Sequence, residues 1–123
     1  MASLVTNTGL GNATAAWHNY ASRARYIGWG TGSGQTATDT DLATAAGESR
    51  ATGTTSQQTT NTTNDTYRIV GTVTATSGHA ITEAGVFVTT GGTDLSIYGD
   101  FSVINVSAAD SIQFTVDVVL DQA

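Results

Sequence analysis

The sequence contains no cysteine, no proline and no lysine. Without cysteine there is no disulfide framework, thiolate nucleophile or thiolate metal site. The fold must rest on packing and strand pairing or on association with copies of itself, and the redox compartment stays open. Without lysine there is no P-loop, Schiff-base or lysine-isopeptide chemistry. Without proline the turns depend on Gly, Asn, Asp and Ser, and fourteen glycines are there to supply special dihedrals. Cations are scarce as well: Arg23, Arg25, Arg50 and Arg68 stand against ten carboxylates, for a net charge of −6. Such a surface repels a phosphate backbone, so no direct nucleic-acid partner is expected. No apolar run approaches the roughly 20 residues needed to span a bilayer, and no membrane partner is expected. The opening MASLVTNTGLGNA has no basic region followed by a sustained apolar stretch, which reads as a soluble chain without a cleaved signal.

What is abundant is threonine, 24 of the 123 residues, with valine, isoleucine and the aromatics supplying most of the remaining bulk. That is the composition of a β protein whose strands show one face to water. The length suits a single domain over 1–123 that buries roughly two-thirds of its unfolded surface.

Near the N-terminus, Leu10, Ala13, Trp17 and Tyr20 recur at three- and four-residue spacing, which predicts a short helix capped by Asn7 or Thr8. Arg25 to Trp29 reads as a short strand that runs into the glycine-rich turn Gly30 to Gly34. Gln35 to Gly47 is polar and alanine-rich, a loop with one helical turn. From Glu48 to Asn64 large apolar residues are almost absent, so this threonine-rich segment reads as a solvated hairpin, an extended arm or a disordered stretch. Tyr67, Ile69, Gly71, Val73 and Ala75 then alternate with Arg68, Val70, Thr72 and Thr74, as one strand with a mostly polar outer face.

The segment Ile81 to Thr115 carries three further strands. The first, Ile81 to Thr89, has Val86 and Val88 opposite Phe87 and a bulge expected at Gly85. Thr90 to Thr93 is expected to close a tight hairpin into Leu95 to Tyr98, with Gly99-Asp100 interrupting before Phe101 to Val106. The last strand sets Ile112, Phe114, Val116, Val118 and Leu120 on one face, against Gln113, Thr115, Asp117 and Asp121 on the other. Five or more strands joined mostly by short turns predict an all-β, mainly antiparallel domain, a β-sandwich or barrel-like fold with one short N-terminal helix.

Reactive constellations are thin. The Gly28 to Gly34 glycines lack the lysine and the apolar helix of a phosphate cradle, and read as a turn. Asp39-Thr40-Asp41 lacks the glycine and the distal glutamate of an EF-hand loop, and reads as solvated acids. His18 and His79 are the two imidazoles and share no metal-binding spacing, and no G-x-S-x-G elbow marks a serine nucleophile. Four Asn-x-Ser/Thr sequons, at Asn12, Asn61, Asn64 and Asn105, follow from threonine abundance. Thr72, Thr74 and Thr76 share a strand face as an ice-binding ladder would, but no stacked-coil repeat accompanies them. Trp17 and Trp29 offer rings for a sugar; core or subunit-interface packing is the plainer reading. No enzyme activity, cofactor or metal is expected.

Taken in order, Tyr26-Ile27-Gly28-Trp29-Gly30-Thr31-Gly32, Thr40-Asp41, Glu48 to Arg50, Ile81-Thr82-Glu83-Ala84-Gly85-Val86-Phe87, Phe101-Ser102-Val103-Ile104-Asn105 and Ala109-Asp110-Ser111-Ile112 resemble a family of small tailed-bacteriophage structural proteins. The resemblance covers most of the chain; the Thr52 to Asn64 stretch departs from it. It implies a capsid decoration (cement) protein on the outside of the head, made in the host bacterial cytoplasm, with the major capsid protein and its own copies as partners, as a homotrimer. The alternative is a tail-fibre or baseplate module with glycan recognition. It further implies architectural roles for Glu83, Gly85, Phe87, Phe101 and Asp110. Glu83 would orient a neighbouring strand or pair with an arginine, Gly85 would permit the bulge and Phe87 would fill the core. Assembly contacts are expected from an N-terminal arm, residues 1–8, and from residues 48–64, with Leu4, Val5, Trp29, Arg50, Thr55 and Gln57 as candidates.

Overall fold

One helix and seven strands follow along the described residues: α1 (Asn7–Asn19), β1 (Tyr26–Gly30), β2 (Ala51–Thr52), β3 (Thr54–Gln58), β4 (Thr66–Thr74), β5 (His79–Phe87), β6 (Leu95–Val106) and β7 (Ser111–Val119). The computed structural model describes residues 2–121. The strands form two antiparallel sheets, ordered β2-β1-β5-β6 and β3-β4-β7. The fold is an all-β sandwich with one short helix, as the strand pattern predicts.

The cleanest alternation gives the most regular pairing. β4 turns Tyr67, Ile69, Gly71 and Val73 inward and pairs with β7 in one unbroken register, from Thr66 opposite Val119 to Thr74 opposite Ser111. Arg68 and Asp117 face each other on the outer side of that pair and make two hydrogen bonds, at 2.7 and 2.9 Å. Between the sheets, Ile27, Trp29, Ile69, Val73, Ile81 and Val86 form the centre of the core, with Phe101, Phe114 and Val116 packed at its margin.

The helix covers one end of this core. Its cap is Thr6, whose hydroxyl accepts from the Gly9 N–H at 3.2 Å, so Asn7 and Thr8 are the first helical residues and not caps. The buried face also differs from the expected one. Leu10 is buried, Trp17 stacks on Tyr67 with ring centroids 4.5 Å apart, and Thr14 takes the inner place expected of Ala13. Thr14 is accommodated because its hydroxyl donates to the Asn64 carbonyl at 2.6 Å and accepts from the Gln57 amide at 2.8 Å. Tyr20 lies beyond the helix, exposed. The expected arm is correspondingly shorter, residues 2–6, since 7–8 belong to α1; Met1 lies outside the described residues.

The threonine-rich segment requires the largest correction. It is neither an arm nor disordered: it supplies β2 to one sheet and β3 to the other, and the chain passes between the sheets at Gly53. The Gly53 N–H donates to the Arg25 carbonyl at 2.6 Å, and a side-chain carbon there would collide with the Ile69 methyl and that same carbonyl. The loop that follows is closed by Asp65. Its buried carboxylate accepts from the N–H groups of Thr60, Asn61 and Thr62 and from the Thr66 hydroxyl, at 2.8 to 2.9 Å.

Four smaller expectations are also corrected. Gln35 to Gly47 contains no helical turn; it crosses the sheet as an irregular loop with an isolated bridge between Gly30 and Ala45. Gly99-Asp100 does not interrupt a strand, since β6 runs unbroken through it. The register of β5 against β6 shifts between Ile81 and Glu83 and again between Val86 and Phe87, with Gly85 in regular pairing opposite Tyr98. The link from β5 to β6 spans residues 88–94, too long for a tight hairpin.

Candidate functional site

Within the Ile81 to Phe87 motif, Ile81 and Val86 face the core, while Glu83, Gly85 and Phe87 lie on the outer face of the sheet. Glu83, Gly85 and Phe87 sit opposite Gly30, Gly28 and Tyr26 of β1, and the loop between β1 and β2 folds back over them. This gives β5 two buried faces, one toward the sandwich core and one toward the loop.

Glu83 is wholly buried and holds that loop by its backbone. Its carboxylate accepts from the N–H groups of Gly32 at 3.1 Å, Ala43 at 3.0 Å and Thr44 at 2.8 Å, and from the Tyr98 hydroxyl at 2.9 Å. Four donors compensate the loss of water around the charge, so no arginine is needed, and none is bonded to it. Burial and the hydrogen bond to Glu83 push the Tyr98 phenol up to about 12. Gly85 serves close packing and not a bulge: a Cβ there would overlap Leu95 and press on Leu42.

Phe87 is buried, but outside the main core. It fills a second apolar layer with Leu42, Gly28 and Gly85, and Arg50 covers it with the guanidinium carbon 3.4 Å from the ring centroid. The two terminal nitrogens of Arg50 donate to the Thr89 and Gly92 carbonyls at 2.8 and 2.7 Å. Asp94 closes the same loop by accepting from the Thr89 hydroxyl at 2.6 Å, which with the neighbouring N–H groups lowers its pKa.

A third fastening involves Glu48, which accepts from Trp29 Nε1 at 2.8 Å, the Thr76 N–H at 3.1 Å and the Thr76 hydroxyl at 2.8 Å, and lies 2.9 Å from His79 Nε2. Burial raises the Glu48 pKa, but these hydrogen bonds outweigh it and hold the carboxyl at about 2. Ser77 Oγ lies 3.3 Å from the same His79 Nε2. Both oxygens approach one nitrogen, so the imidazole cannot relay a proton from the serine to the carboxylate as a catalytic triad does. Among the described residues no group of three acids or histidines is placed to hold a metal. Asp39 closes a turn with Thr36 and Asp41 bonds the Leu42 N–H.

The proposed assembly contacts separate into two groups. Leu4 and Val5 are exposed as expected. The other four have partners inside the chain. Trp29 is only 2% exposed and is bonded to Glu48, so it offers no ring to a sugar or a neighbour. Arg50 covers Phe87, while buried Thr55 joins His18 to Arg23 and Gln57 ties β3 to the helix. The two remaining motif residues are structural. Phe101 packs 6.2 Å from Phe114 across the sheets. Asp110 accepts from the Ser107 N–H at 2.8 Å and closes the β6–β7 turn, which docks on Ala75 through two 2.8 Å backbone bonds.

Among the described residues, one open side is where the long strands β6 and β7 end their sheets. Each pairs on one side only, and between them opens a groove of about 330 Å³ lined by Val86, Ile97, Phe101, Phe114 and Val116. Val103 and Ile104 on β6 are 55% and 43% exposed, and Val119 on β7 is 41% exposed. The adjacent pair Val103-Ile104 is a signal for this in the sequence: side chains alternate along a strand, so two apolar neighbours cannot both face one core.

No protein-family model, no curated protein and no solved structure matches this chain.

Proposed function

We propose that this chain is a structural, non-enzymatic virion protein of the capsid-decoration type, which seats on the outer head surface and ties neighbouring shell subunits together. The observation that carries the reading is the open side of the sandwich. Two edge strands of twelve and nine residues, carrying Val103, Ile104 and Val119 in water, are an unprotected template for pairing unless a neighbour covers them. A closed ring of copies, a trimer about a shell three-fold, would cover both edges and bury apolar side chains that they expose.

The interior supports a module built to persist. Glu83, Arg50 and Glu48 each hold loop segments against a sheet face through several hydrogen bonds, leaving rigid outer surfaces for contact. The net charge of −6 suits a face turned away from packaged DNA. Binding to the assembled shell alone stabilises that shell by mass action.

The test is addition of the purified protein to empty phage heads that lack it. Saturable attachment seen by electron microscopy, with a raised disassembly temperature, is expected. Replacement of Val103 and Ile104 by glutamate should abolish attachment while leaving the circular dichroism spectrum intact. Attachment confined to tails, or none to heads, rejects the decoration reading.

A further inference from the structure

A concavity of about 660 Å³ lies away from the open edge, between the first half of α1 and the loop closed by Asp65. Its lining is uncharged although the chain carries fourteen charged side chains. It consists chiefly of side-chain amides and threonine hydroxyls.

We propose that this cleft binds a neutral saccharide. Asn12, Asn61 and Asn64 line it, and their side-chain amides make no hydrogen bond to another described residue. An amide carries two donors and an acceptor of two lone pairs, the match for vicinal hydroxyls that each donate and accept. An anionic ligand would need a cation, and an apolar ligand an apolar wall; the cleft supplies neither.

Both walls are set before any ligand arrives. Buried Asp65 fixes the backbone of residues 60–62, and Asn64 is held at φ 58° while its carbonyl accepts the Thr14 hydroxyl. Gln57 donates its amide protons to the Gly11 carbonyl and the Thr14 hydroxyl, which locks the floor to the helix. Binding therefore costs little loop ordering. The cleft is open and has no aromatic platform, so a single site should hold a short oligosaccharide with a dissociation constant on the order of 1 mM. Repetition of the site on an assembled particle would raise the apparent affinity for a polysaccharide far above that.

The test is titration of the ¹⁵N-labelled full chain with neutral glucose, galactose and N-acetylglucosamine trisaccharides, followed by amide chemical shifts, with a uronic-acid trisaccharide alongside. Saturating shifts confined to residues 7–15 and 57–64, with at least one neutral sugar and weaker with the uronate, are expected. Asn61→Ala and Asn12→Ala should each weaken binding several-fold while the core resonances stay in place. A second arm with a soluble neutral polysaccharide distinguishes a polymer from a free oligosaccharide as the source. No shift with any neutral sugar, shifts outside the cleft, tighter binding of the uronate or indifference to both substitutions would overturn the proposal. None of these outcomes depends on whether the chain attaches to a phage head.

Discussion

Arg50 lies over Phe87, its guanidinium carbon 3.4 Å from the ring centroid, and reaches past the ring to the carbonyls of Thr89 and Gly92. The contact joins the loop after β1 to the loop after β5, and it gives the scarcest charge in this chain a structural task. A planar cation that stacks and donates in two directions is a role that an ammonium cannot copy.

Arg50→Lys should therefore destabilise nearly as much as Arg50→Ala, by about 2 kcal/mol. Urea unfolding with an unchanged m-value is the measurement. A lysine variant indistinguishable from the parent would show that the charge alone matters.

Glu83→Ala leaves three loop N–H groups and the Tyr98 hydroxyl without their acceptor, and should cost about 3 kcal/mol or more. Glu83→Gln presents an NH₂ group to N–H donors and should recover only part of that loss. Faster hydrogen exchange at Ala43 and Thr44 than at β4 would place the damage in the covering loop.

Acid should loosen the fold in a defined window. The Glu48 carboxyl is held at about 2, against 4.5 for a free glutamate, and the Asp65 carboxyl is held well below its ordinary 3.8 by the Thr60 N–H and its neighbours, in spite of desolvation. Both values are depressed in the folded chain, so both contributions are complete above the unfolded values and disappear as pH falls toward the folded ones. The melting temperature should fall with acid below pH 4.5, and Glu48→Gln should flatten part of that slope.

Two glycine substitutions should behave oppositely. Gly53→Ala drives a methyl into Ile69 and the Arg25 carbonyl at the crossing between sheets, and should cost about 1 to 3 kcal/mol. Gly91→Ala meets nothing within 4 Å and should be nearly neutral. Thermal unfolding of the pair, measured side by side, tests whether close approach or backbone freedom dictates glycine in this chain.

β4 and β7 were legible in the sequence because each has one wet and one dry face, so burial writes itself as alternation. β5 has two dry faces, and the layer that covers the second is an irregular loop without periodicity. Nothing local marks Glu83 or Phe87 as partners of Thr44 or Arg50. The threonine-rich segment misled for another reason. Composition counts Thr55, Asp65 and Thr66 as polar and therefore wet, yet all three are buried because neighbours up to 37 residues away in sequence satisfy their oxygens. Trp29 is comparable: its ring is closed off by Glu48, 19 residues on. Of the expected site, Leu4 and Val5 remain on the surface, and the open edge at β6 was marked in the sequence only by the doubled Val103-Ile104.

The chain's passage from one sheet to the other at Gly53 gives the sandwich a spine. On that side the two sheets are covalently continuous; on the far side, β6 and β7 are joined only at one end, by the turn that Asp110 closes. A wedge or a steady pull would part the sheets from the Leu95 and Val119 ends first, with the Ser107–Asp110 turn as the last point to yield.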